Sequence, residues 1–448
     1  MNKKDDLKVG ITRRDFMKKT TLAAGGGLLF SSLPVGASAY AASNDTLKVA
    51  LVGCGGRGTG AANQALRADE GTKLVALCDI FRNRLDECYS GLAQQYGETG
   101  RMEVPEEHKF VSFDGYKDAI DLADVVILAT PPAFRPAHFE YAIEQGKHVF
   151  MEKPLATDVP GIRRVLEAGR KARQNNLNVV VGLQRHYQTN YREALKRVQD
   201  GAIGDIIGGQ VYWNSAGVWV RERQPEMSEM EYQMRNWYYF NWVCGDHILE
   251  QHIHNIDVAN WFIGEYPETA QGMGGREVRT GIDHGEIFDH HFVEFTYPSG
   301  AVISSQCRHQ PDTFSRVAEH LQGTVGTVQL DSGNTAIIKD YNGVMMYDHN
   351  GMQDPNPYQV EHDELFAAIR NGEVISDTED AAKSTLAAIM GRMATYSGKV
   401  ITWDEAINSQ KVLVPENIDW DTTPPVLPDE NGRYPIPVPG EYDPFSNA

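Results

Sequence analysis

The segment Leu47-Lys48-Val49-Ala50-Leu51-Val52-Gly53-Cys54-Gly55-Gly56-Arg57-Gly58 decides the fold of this chain. It begins as a short apolar run, which is typical of a buried parallel strand, and it ends in the pattern G-x-G-x-x-G. The alanine-rich segment from Thr59 to Arg67 follows and predicts a helix. A strand, a glycine turn and a helix in this order form a cradle for the pyrophosphate of a dinucleotide.

Each glycine of the pattern has a physical task. Gly53 permits the tight turn, Gly55 lets the backbone approach the phosphates, and Gly58 lets the helix pack closely on the strand. Gly56 and Arg57 lie between them at the helix N-terminus, whose free N–H groups and partial positive charge favour an anion. The alternative is a plain glycine-rich turn, because glycine alone is weak evidence for a site.

An acidic residue selects between the two nicotinamide dinucleotides. Lys73 to Asp79 predicts the second strand, and Asp79 stands at its carboxyl end. An acid at about 20 residues beyond the glycine turn can accept hydrogen bonds from the adenosine ribose and repel a 2′-phosphate, which favours NAD over NADP. Arg82 and Arg84 weaken this preference, and Asp79 could instead cap the helix predicted over 82–96.

Strands and helices continue to alternate up to residue 183, which predicts a doubly wound parallel sheet. The further strands are predicted at 109–113, 124–132, 148–151 and 178–183, and the further helices at 138–145 and 159–175. Beyond Gln184 the alternation stops, which predicts an α+β domain with a mostly antiparallel, open sheet. Its strands are predicted at 208–216, 289–297, 301–307, 326–330 and 335–338, and its helices at 190–199, 247–262, 361–370 and 378–395.

The chain of 448 residues divides into four predicted segments. These are a signal peptide over 1–42, a nucleotide-binding Rossmann domain over 46–184, a substrate and oligomerisation domain over 185–412 and an extended tail over 413–448. The net charge of −19 disfavours nucleic acid and anionic membranes as partners. The five cysteines form no C-x-x-C pattern, so neither a disulfide framework nor a zinc ribbon is predicted.

The N-terminus resembles a twin-arginine export signal. Thr12-Arg13-Arg14-Asp15-Phe16-Met17-Lys18 is followed by a mildly apolar stretch and by small residues suited to cleavage near Ala39. The alternative is a basic arm. The signal predicts export to the periplasm, with no membrane anchor in the mature form. Because little free dinucleotide is expected there, an exported enzyme should keep its cofactor and regenerate it in place.

With Glu152-Lys153-Pro154 added, the chain resembles the glucose–fructose oxidoreductase/inositol dehydrogenase (Gfo/Idh/MocA) family over about 46–410. The motifs that support this resemblance occur in the family's order: the glycine turn, Thr130-Pro131-Pro132, His138, Gly146-Lys147-His148-Val149 and Glu152-Lys153-Pro154. The resemblance implies that Thr130, Pro131, His138, Glu152 and Lys153 contact the cofactor with the glycine turn.

The family pattern D-x-x-x-H-x-x-D corresponds here to Glu250, His254 and Asp257, with Glu in place of the usual Asp. The resemblance implies that Lys153 stabilises developing negative charge and that His254 takes the hydroxyl proton. On one continuous helix the three positions share a face, so a carboxylate would orient the imidazole and raise its basicity. His252, where many members have Gly, would point away.

Structural alternatives exist for these residues. Lys153 could be a surface turn lysine, and His254 could be a core histidine held by Asp257. A zinc site is a further alternative, since imidazoles and a carboxylate are zinc ligands. The candidate ligands are His247, Glu250, His252, His254, His290 and His291. We expect no metal, because His252 and His254 do not share a helix face.

Candidate substrate groups lie in the second domain, and we single out Arg185, Tyr187, Asn214, Trp237 and Asp257. The predicted function is an exported NAD-dependent oxidoreductase that acts on a secondary hydroxyl of a sugar, glycoside or polyol. The same parts would serve a redox-neutral glycoside hydrolase similar to family 109, in which transient oxidation permits elimination, water addition and reduction. The third alternative is a non-catalytic sugar-binding protein. A homo-oligomer is expected, with the open sheet as its interface.

Overall fold

The computed structural model describes residues 45–351 and 353–446. The predicted signal peptide over 1–42 lies outside the described residues. Within the part that is described, no helix is long and apolar enough to cross a membrane.

The first sheet has six parallel strands in the order β3-β2-β1-β4-β5-β6, which confirms the doubly wound prediction. Its order reverses between β1 and β4, and ligands bind at the carboxyl ends of strands at such a reversal. The strands are β1 (Leu47–Val52), β2 (Thr72–Cys78), β3 (Lys109–Phe110), β4 (Val125–Leu128), β5 (His148–Met151) and β6 (Val179–Val181).

Helices follow the strands of this sheet as right-handed crossovers require. They are α1 (Gly56–Ala68), α2 (Arg82–Tyr96), α3 (Gly115–Asp121), α4 (Arg135–Glu144) and α5 (Val159–Gln174). The central strands β1 and β4 are almost wholly buried, as expected for a parallel sheet covered on both faces.

The second sheet has nine strands in the order β14-β13-β12-β11-β7-β10-β9-β8-β15. All neighbours are antiparallel except β7 and β10, so the sheet is mixed but mostly antiparallel. The strands are β7 (Ile206–Ser215), β8 (Thr269–Gly275), β9 (His290–Thr296), β10 (Val302–His309), β11 (Arg316–Gly323), β12 (Gly326–Asp331), β13 (Thr335–Asp340), β14 (Met345–Asn350) and β15 (Ile401–Thr402). Four of these, β8, β11, β14 and β15, were not predicted.

The remaining helices are α6 (Thr189–Gln199), α7 (Glu229–Arg235), α8 (Asn241–Cys244), α9 (His247–Glu250), α10 (Ile253–Ile263), α11 (Pro357–Asn371), α12 (Thr378–Ser397) and α13 (Trp403–Ile407). Two of them return to the first sheet: α11 packs against α1, and α12 packs against both α5 and β8. One apolar core therefore extends across both sheets.

The helix predicted over 247–262 is wrong as a single element. It is broken between α9 and α10, at Gln251 and His252. In a continuous helix the carbonyl of Glu250 would accept the N–H of His254, but here it accepts a hydrogen bond from Lys153 Nζ. A side chain from the first domain thus ends α9.

The segment after Ile407 contains no helix or strand up to residue 446, consistent with the predicted extended tail. It is nevertheless packed, because Leu413, Val414, Ile418 and Val426 join a cluster of aromatic residues from the 230–245 region. Tyr434 is buried in the same cluster.

Candidate active site

A cavity of about 960 Å³ opens at the carboxyl edge of the first sheet. Residues that follow all six of its strands line the cavity, and residues from the second domain close its other side. The lining includes all of the predicted cofactor residues, namely Gly53, Gly55, Gly56, Arg57, Gly58, Asp79, Thr130, Pro131, His138, Glu152 and Lys153.

The glycine turn fits a dinucleotide. Gly53 has a φ of +99°, and a Cβ on Gly58 would lie 1.9 Å from the Gly53 carbonyl oxygen, so both must be glycine for the turn to close. A Cβ on Gly55 would meet nothing within 4 Å, so this residue leaves open space beside the cavity. The first turn of α1 has no side-chain cap, which leaves its N–H groups for an anion.

Asp79 stands at the end of β2 with its carboxylate fixed by the backbone. Its two oxygens accept hydrogen bonds from the N–H groups of Cys54 (2.8 Å) and Phe81 (2.9 Å). Burial raises the pKa of Asp79, opposed by these hydrogen bonds. The carboxylate is therefore held where the adenosine ribose of a dinucleotide on the glycine turn would lie.

Arg57 is the cation of the glycine turn, and three groups hold it. It forms ion pairs with Glu152, which follows β5, and with Glu361 on α11, at 2.8 Å for the second pair. Its guanidinium also lies 4.8 Å from the ring centre of Tyr358. Glu361 and Tyr358 were not predicted, since no local pattern connects α11 to a turn some 300 residues earlier in the chain.

Thr130 and His138 form a second polar group of the lining, and their side chains lie 3.2 Å apart. His138 also stacks on Tyr116, at 4.1 Å between ring centres. Burial, together with the neighbouring Arg135, lowers the pKa of His138 to about 3, so the imidazole is neutral near neutral pH.

Lys153 and Glu250 meet across the two domains. Their side chains form an ion pair of 2.9 Å (Nζ to Oε1), and both are nearly buried. Burial raises the pKa of Glu250, while the adjacent Lys153 ammonium opposes this rise. Lys153 is thus not a surface turn lysine, and the Glu in place of the family's Asp reaches it directly.

His254 lies in the cavity wall with Nδ1 buried and without a hydrogen-bond partner. Its ring is stacked with Trp213, at 5.9 Å between ring centres. Burial, with a further contribution from the Lys153 charge, lowers the pKa of His254 well below its usual value. The residue is therefore a neutral imidazole, and a neutral imidazole can accept a proton.

The predicted carboxylate partner of His254 requires a correction. Glu250 pairs with Lys153, and the Asp257 carboxylate contacts His186 Nε2 (2.7 Å) and the Ser384 hydroxyl (2.8 Å). Neither acid orients the His254 ring or raises its basicity. The break between α9 and α10 removes the common face on which the prediction rested. His252 points away from the cavity, as predicted, and contacts Ser305.

Of the five predicted substrate residues, the structure brings only Trp237 to the cavity. Arg185 forms a buried ion pair with Glu319, and Tyr187 donates to Asp377. Asp257 is held as described above. Asn214 follows Trp213 in β7, and Trp213 lines the cavity. Consecutive residues of a strand face opposite sides of the sheet, so Asn214 points away from the cavity that Trp213 lines.

Further residues at the mouth of the cavity were not predicted. Trp219, Arg221 and Glu222 line it from the loop after β7, together with Met227. Trp219 packs edge-on against Trp237, and Arg221 lies over the Trp219 ring. The high aromatic content of this region was the only signal in the sequence.

A parallel sheet with this glycine turn at the reversal of its strand order defines a dinucleotide-binding Rossmann domain, and the Lys–Glu pair lies beside it. Residues 47–183 match the oxidoreductase family with the NAD-binding Rossmann fold, and residues 191–329 match the GFO/IDH/MocA C-terminal domain. The chain belongs to this family.

Its relatives are distant. An uncharacterized oxidoreductase of Streptococcus pneumoniae is 29% identical over 48% of this chain, and the match spans only 54% of that protein's length. Inositol 2-dehydrogenase 3 of Saccharopolyspora erythraea is 28% identical over 64% of this chain and 73% of its own. A glycosyl hydrolase family 109 protein of Shewanella pealeana is 23% identical over 78% and 71%.

Among solved structures, aldose-aldose oxidoreductase from Caulobacter crescentus, complexed with glycerol, has the same fold. The TM-score is 0.63 at 20% identity, and the match covers 80% of this chain and 99% of that one.

Proposed function

We propose that this chain is an exported enzyme that oxidises a secondary hydroxyl of a sugar, glycoside or polyol, or reduces the corresponding ketone. The observation that supports this most directly is the position of Lys153, Glu250 and His254 on one wall of the cavity. The same cavity extends to the glycine turn and Asp79, so a dinucleotide and a small polar substrate would fit side by side.

NAD, when bound, supplies the hydride acceptor for this reaction. Lys153 would donate a hydrogen bond to the reacting oxygen and stabilise negative charge that develops there. The Glu250 carboxylate and carbonyl hold the Lys153 ammonium in place. His254, neutral and in the cavity wall, would take the hydroxyl proton.

The mouth of the cavity supports a carbohydrate or polyol as substrate. Three tryptophans, Trp213, Trp219 and Trp237, line this end of it. Indole rings present a flat apolar face on which the C–H groups of a pyranose can stack. Arg221 and Glu222 add polar groups that can bind hydroxyls at the rim.

We further propose that the cofactor is retained through catalytic cycles. The C-terminal tail supports this, because Trp420 packs on Phe81 and Phe113, at 5.5 Å and 4.9 Å between ring centres. Both phenylalanines line the cavity on the side of Asp79. A dinucleotide on the glycine turn would therefore lie next to Phe81 and Phe113, which Trp420 of the tail holds in place.

The first test is to denature the purified protein and identify the released nucleotide by mass spectrometry. About one NAD or NADH per chain is expected. Release of NADP would contradict the role given to Asp79. A protein that is empty and binds added NAD weakly would contradict retention.

A redox-neutral glycoside hydrolase is the second candidate. It is favoured by the family 109 relative, whose match covers 78% of this chain. Oxidation at C3 would acidify the C2–H bond, elimination would cleave the glycosidic bond, and water addition and reduction would follow. Cleavage of aryl glycosides without any added acceptor would support the hydrolase, whereas keto-sugar formation without cleavage would support the oxidoreductase.

Export by the twin-arginine route is supported by the motif around Arg13 and Arg14. Replacing both arginines with lysine should retain the protein in the cytoplasm, which cell fractionation would measure. Equal periplasmic amounts of wild type and variant would contradict the proposal.

We also propose that the chain forms a homo-oligomer through the second sheet. Its strands expose apolar side chains, among them Ile207, Met273 and Val302. Exposed sheet surface of this kind is a natural interface between identical subunits. Light scattering after gel filtration should give a multiple of the monomer mass, and a monomer at micromolar concentration would contradict the proposal.

A further inference from the structure

A second cluster of polar side chains lies in the core, at the start of α9 and apart from the cavity lining. It consists of Asp246, His247 and His291, and each is fully buried. One donor atom from each lies within 4.8 Å of the others. Asp246 Oδ1 is 2.8 Å from His247 Nδ1 and 3.3 Å from His291 Nε2.

Several nitrogens of this region have no hydrogen-bond partner. Among the described residues, His247 Nε2 and His291 Nε2 are buried without one, and so are both ring nitrogens of His309, which is stacked on His247 at 4.4 Å. Buried polar atoms in folded proteins are normally satisfied, so such a group of orphans points to something that binds there. A cation held by Asp246 Oδ1 would satisfy His291 Nε2, which lies 3.3 Å from that oxygen, and His247 would bind it through Nδ1.

We propose that Asp246, His247 and His291 bind a divalent transition-metal ion, with zinc favoured by the ligand types. One carboxylate and two imidazoles are a common donor set for zinc. The 3.3 Å between Asp246 Oδ1 and His291 Nε2 is the separation of two ligands that share one tetrahedral ion at about 2.0–2.2 Å each, and the 2.8 Å hydrogen bond from His247 Nδ1 would open by about 0.5 Å when the ion binds.

Neighbouring groups hydrogen-bond to the ligand side chains and fix their orientation, as is usual around bound metals. The other carboxylate oxygen of Asp246 accepts hydrogen bonds from the Tyr396 hydroxyl (2.5 Å) and the Phe288 N–H (3.1 Å). His291 Nδ1 contacts the Thr395 hydroxyl at 2.9 Å, which leaves Nε2 for the ion. Asp246 also has a φ of +74°, which is uncommon for a residue other than glycine.

The site has a defined structural consequence. Asp246 and His247 begin α9, and Glu250 ends it, whereas His291 belongs to β9. A metal would therefore tie the short helix that presents Glu250 to Lys153 onto the second sheet. Its role would be to position the ion pair, without touching the substrate.

The sequence places His247 and His291 among possible metal ligands, but no metal was expected because His252 and His254 do not share a helix face. The set found here joins a helix start to a strand some 40 residues later in the chain, and only the folded chain brings its members together.

The test is the metal content of full-length protein, purified without chelators from cells grown with added zinc and measured by mass spectrometry. Wild type should hold about one zinc per chain. Asp246→Asn and His291→Gln should each hold less than about one-tenth of that, since two ligands bind zinc far more weakly than three. His290→Gln is the matched control and should keep the metal, because its half-exposed ring contacts Asp289 instead.

A second readout does not depend on how the variants fold. Wild type stripped with a chelator and reloaded with Co²⁺ should show the visible absorption of a cobalt ion bound by nitrogen and oxygen ligands, and its melting temperature should rise on zinc addition. Wild type with no bound metal and no shift on zinc addition would overturn the proposal. Metal that both ligand variants retain at the wild-type level would overturn it as well.

Discussion

The chemistry of the site rests on single side chains whose state depends on burial. His254 is the clearest case, since the histidine is neutral because it is buried next to the Lys153 charge. A neutral imidazole in the wall of the cavity is suited to accept a proton from a substrate hydroxyl.

We predict that His254→Ala lowers kcat by about 10²–10⁴-fold, the usual contribution of a general base. Bound NAD should stay near the wild-type amount, because the glycine turn and Asp79 are untouched. The measurements are steady-state kinetics on the substrate and nucleotide content after denaturation. His320→Ala, a half-buried histidine on β11 outside the cavity lining, is the matched control and should keep its activity. Near-normal turnover by His254→Ala would contradict the assigned role.

At the level of elements, the turn between β1 and α1 is built from glycines with different tasks. Gly58 lies against the Gly53 carbonyl, and Gly55 borders open space. The same substitution should therefore lower stability at Gly58 and weaken NAD binding at Gly55.

We predict that Gly58→Ala destabilises the fold by about 1–3 kcal/mol or more, because its Cβ would collide with backbone that cannot move aside. Gly55→Ala should leave the melting temperature of the NAD-free protein almost unchanged and weaken NAD binding. Urea unfolding and calorimetric titration with NAD measure the two effects. Unchanged NAD affinity in Gly55→Ala would show that the dinucleotide does not approach this residue.

The proposed retention of the cofactor depends on the C-terminal tail, which lies outside the matched family domains. We predict that Trp420→Ala increases the rate at which bound NAD is lost during dialysis, because the indole no longer braces Phe81 and Phe113. Nucleotide content over time gives the rate. Trp403→Ala is the control, since that ring packs on Tyr266 away from the cavity. Equal rates of NAD loss in Trp420→Ala and wild type would show that the tail does not help to retain the cofactor.

On the scale of the whole molecule, buried histidines couple stability to pH. His362 is fully buried against Phe150, at 4.2 Å between ring centres, and both of its nitrogens lack partners. Burial, with Arg57 adding to it, lowers the pKa of His362 well below its usual value. Below about pH 6.5 the His362 imidazole is therefore protonated in the unfolded chain but stays neutral in the folded chain.

We predict that His362→Phe makes the protein less sensitive to acid. The stability that wild type owes to a neutral His362 is full above about pH 6.5 and falls by about 1.4 kcal/mol per pH unit below it. The difference in free energy of unfolding, variant minus wild type, should grow by that amount as the pH is lowered. Urea unfolding at pH 7, 6 and 5 measures it. A constant difference would mean that the pKa of His362 is the same in the folded and unfolded states.

The sequence by itself determined the first domain. Local patterns are enough there, because each strand is a short apolar run and the glycine turn forms among neighbouring residues. The helix from Arg82 to Tyr96 has the predicted bounds, and the strands of the parallel sheet fall within a few residues of theirs. The strands of the second sheet were harder to predict from the sequence, because β8 is glycine-rich and β11 contains charged and polar residues.

Only the tertiary structure decided which polar groups meet. Lys153 ends α9 and pairs with Glu250, which separates Glu250, His254 and Asp257 into different surroundings. Arg185 and Asp257 have residue types suited to a substrate but are used within the core. The reason is physical: burial and ion pairing depend on the packing of segments hundreds of residues apart, whereas a turn or a strand depends on its own few residues.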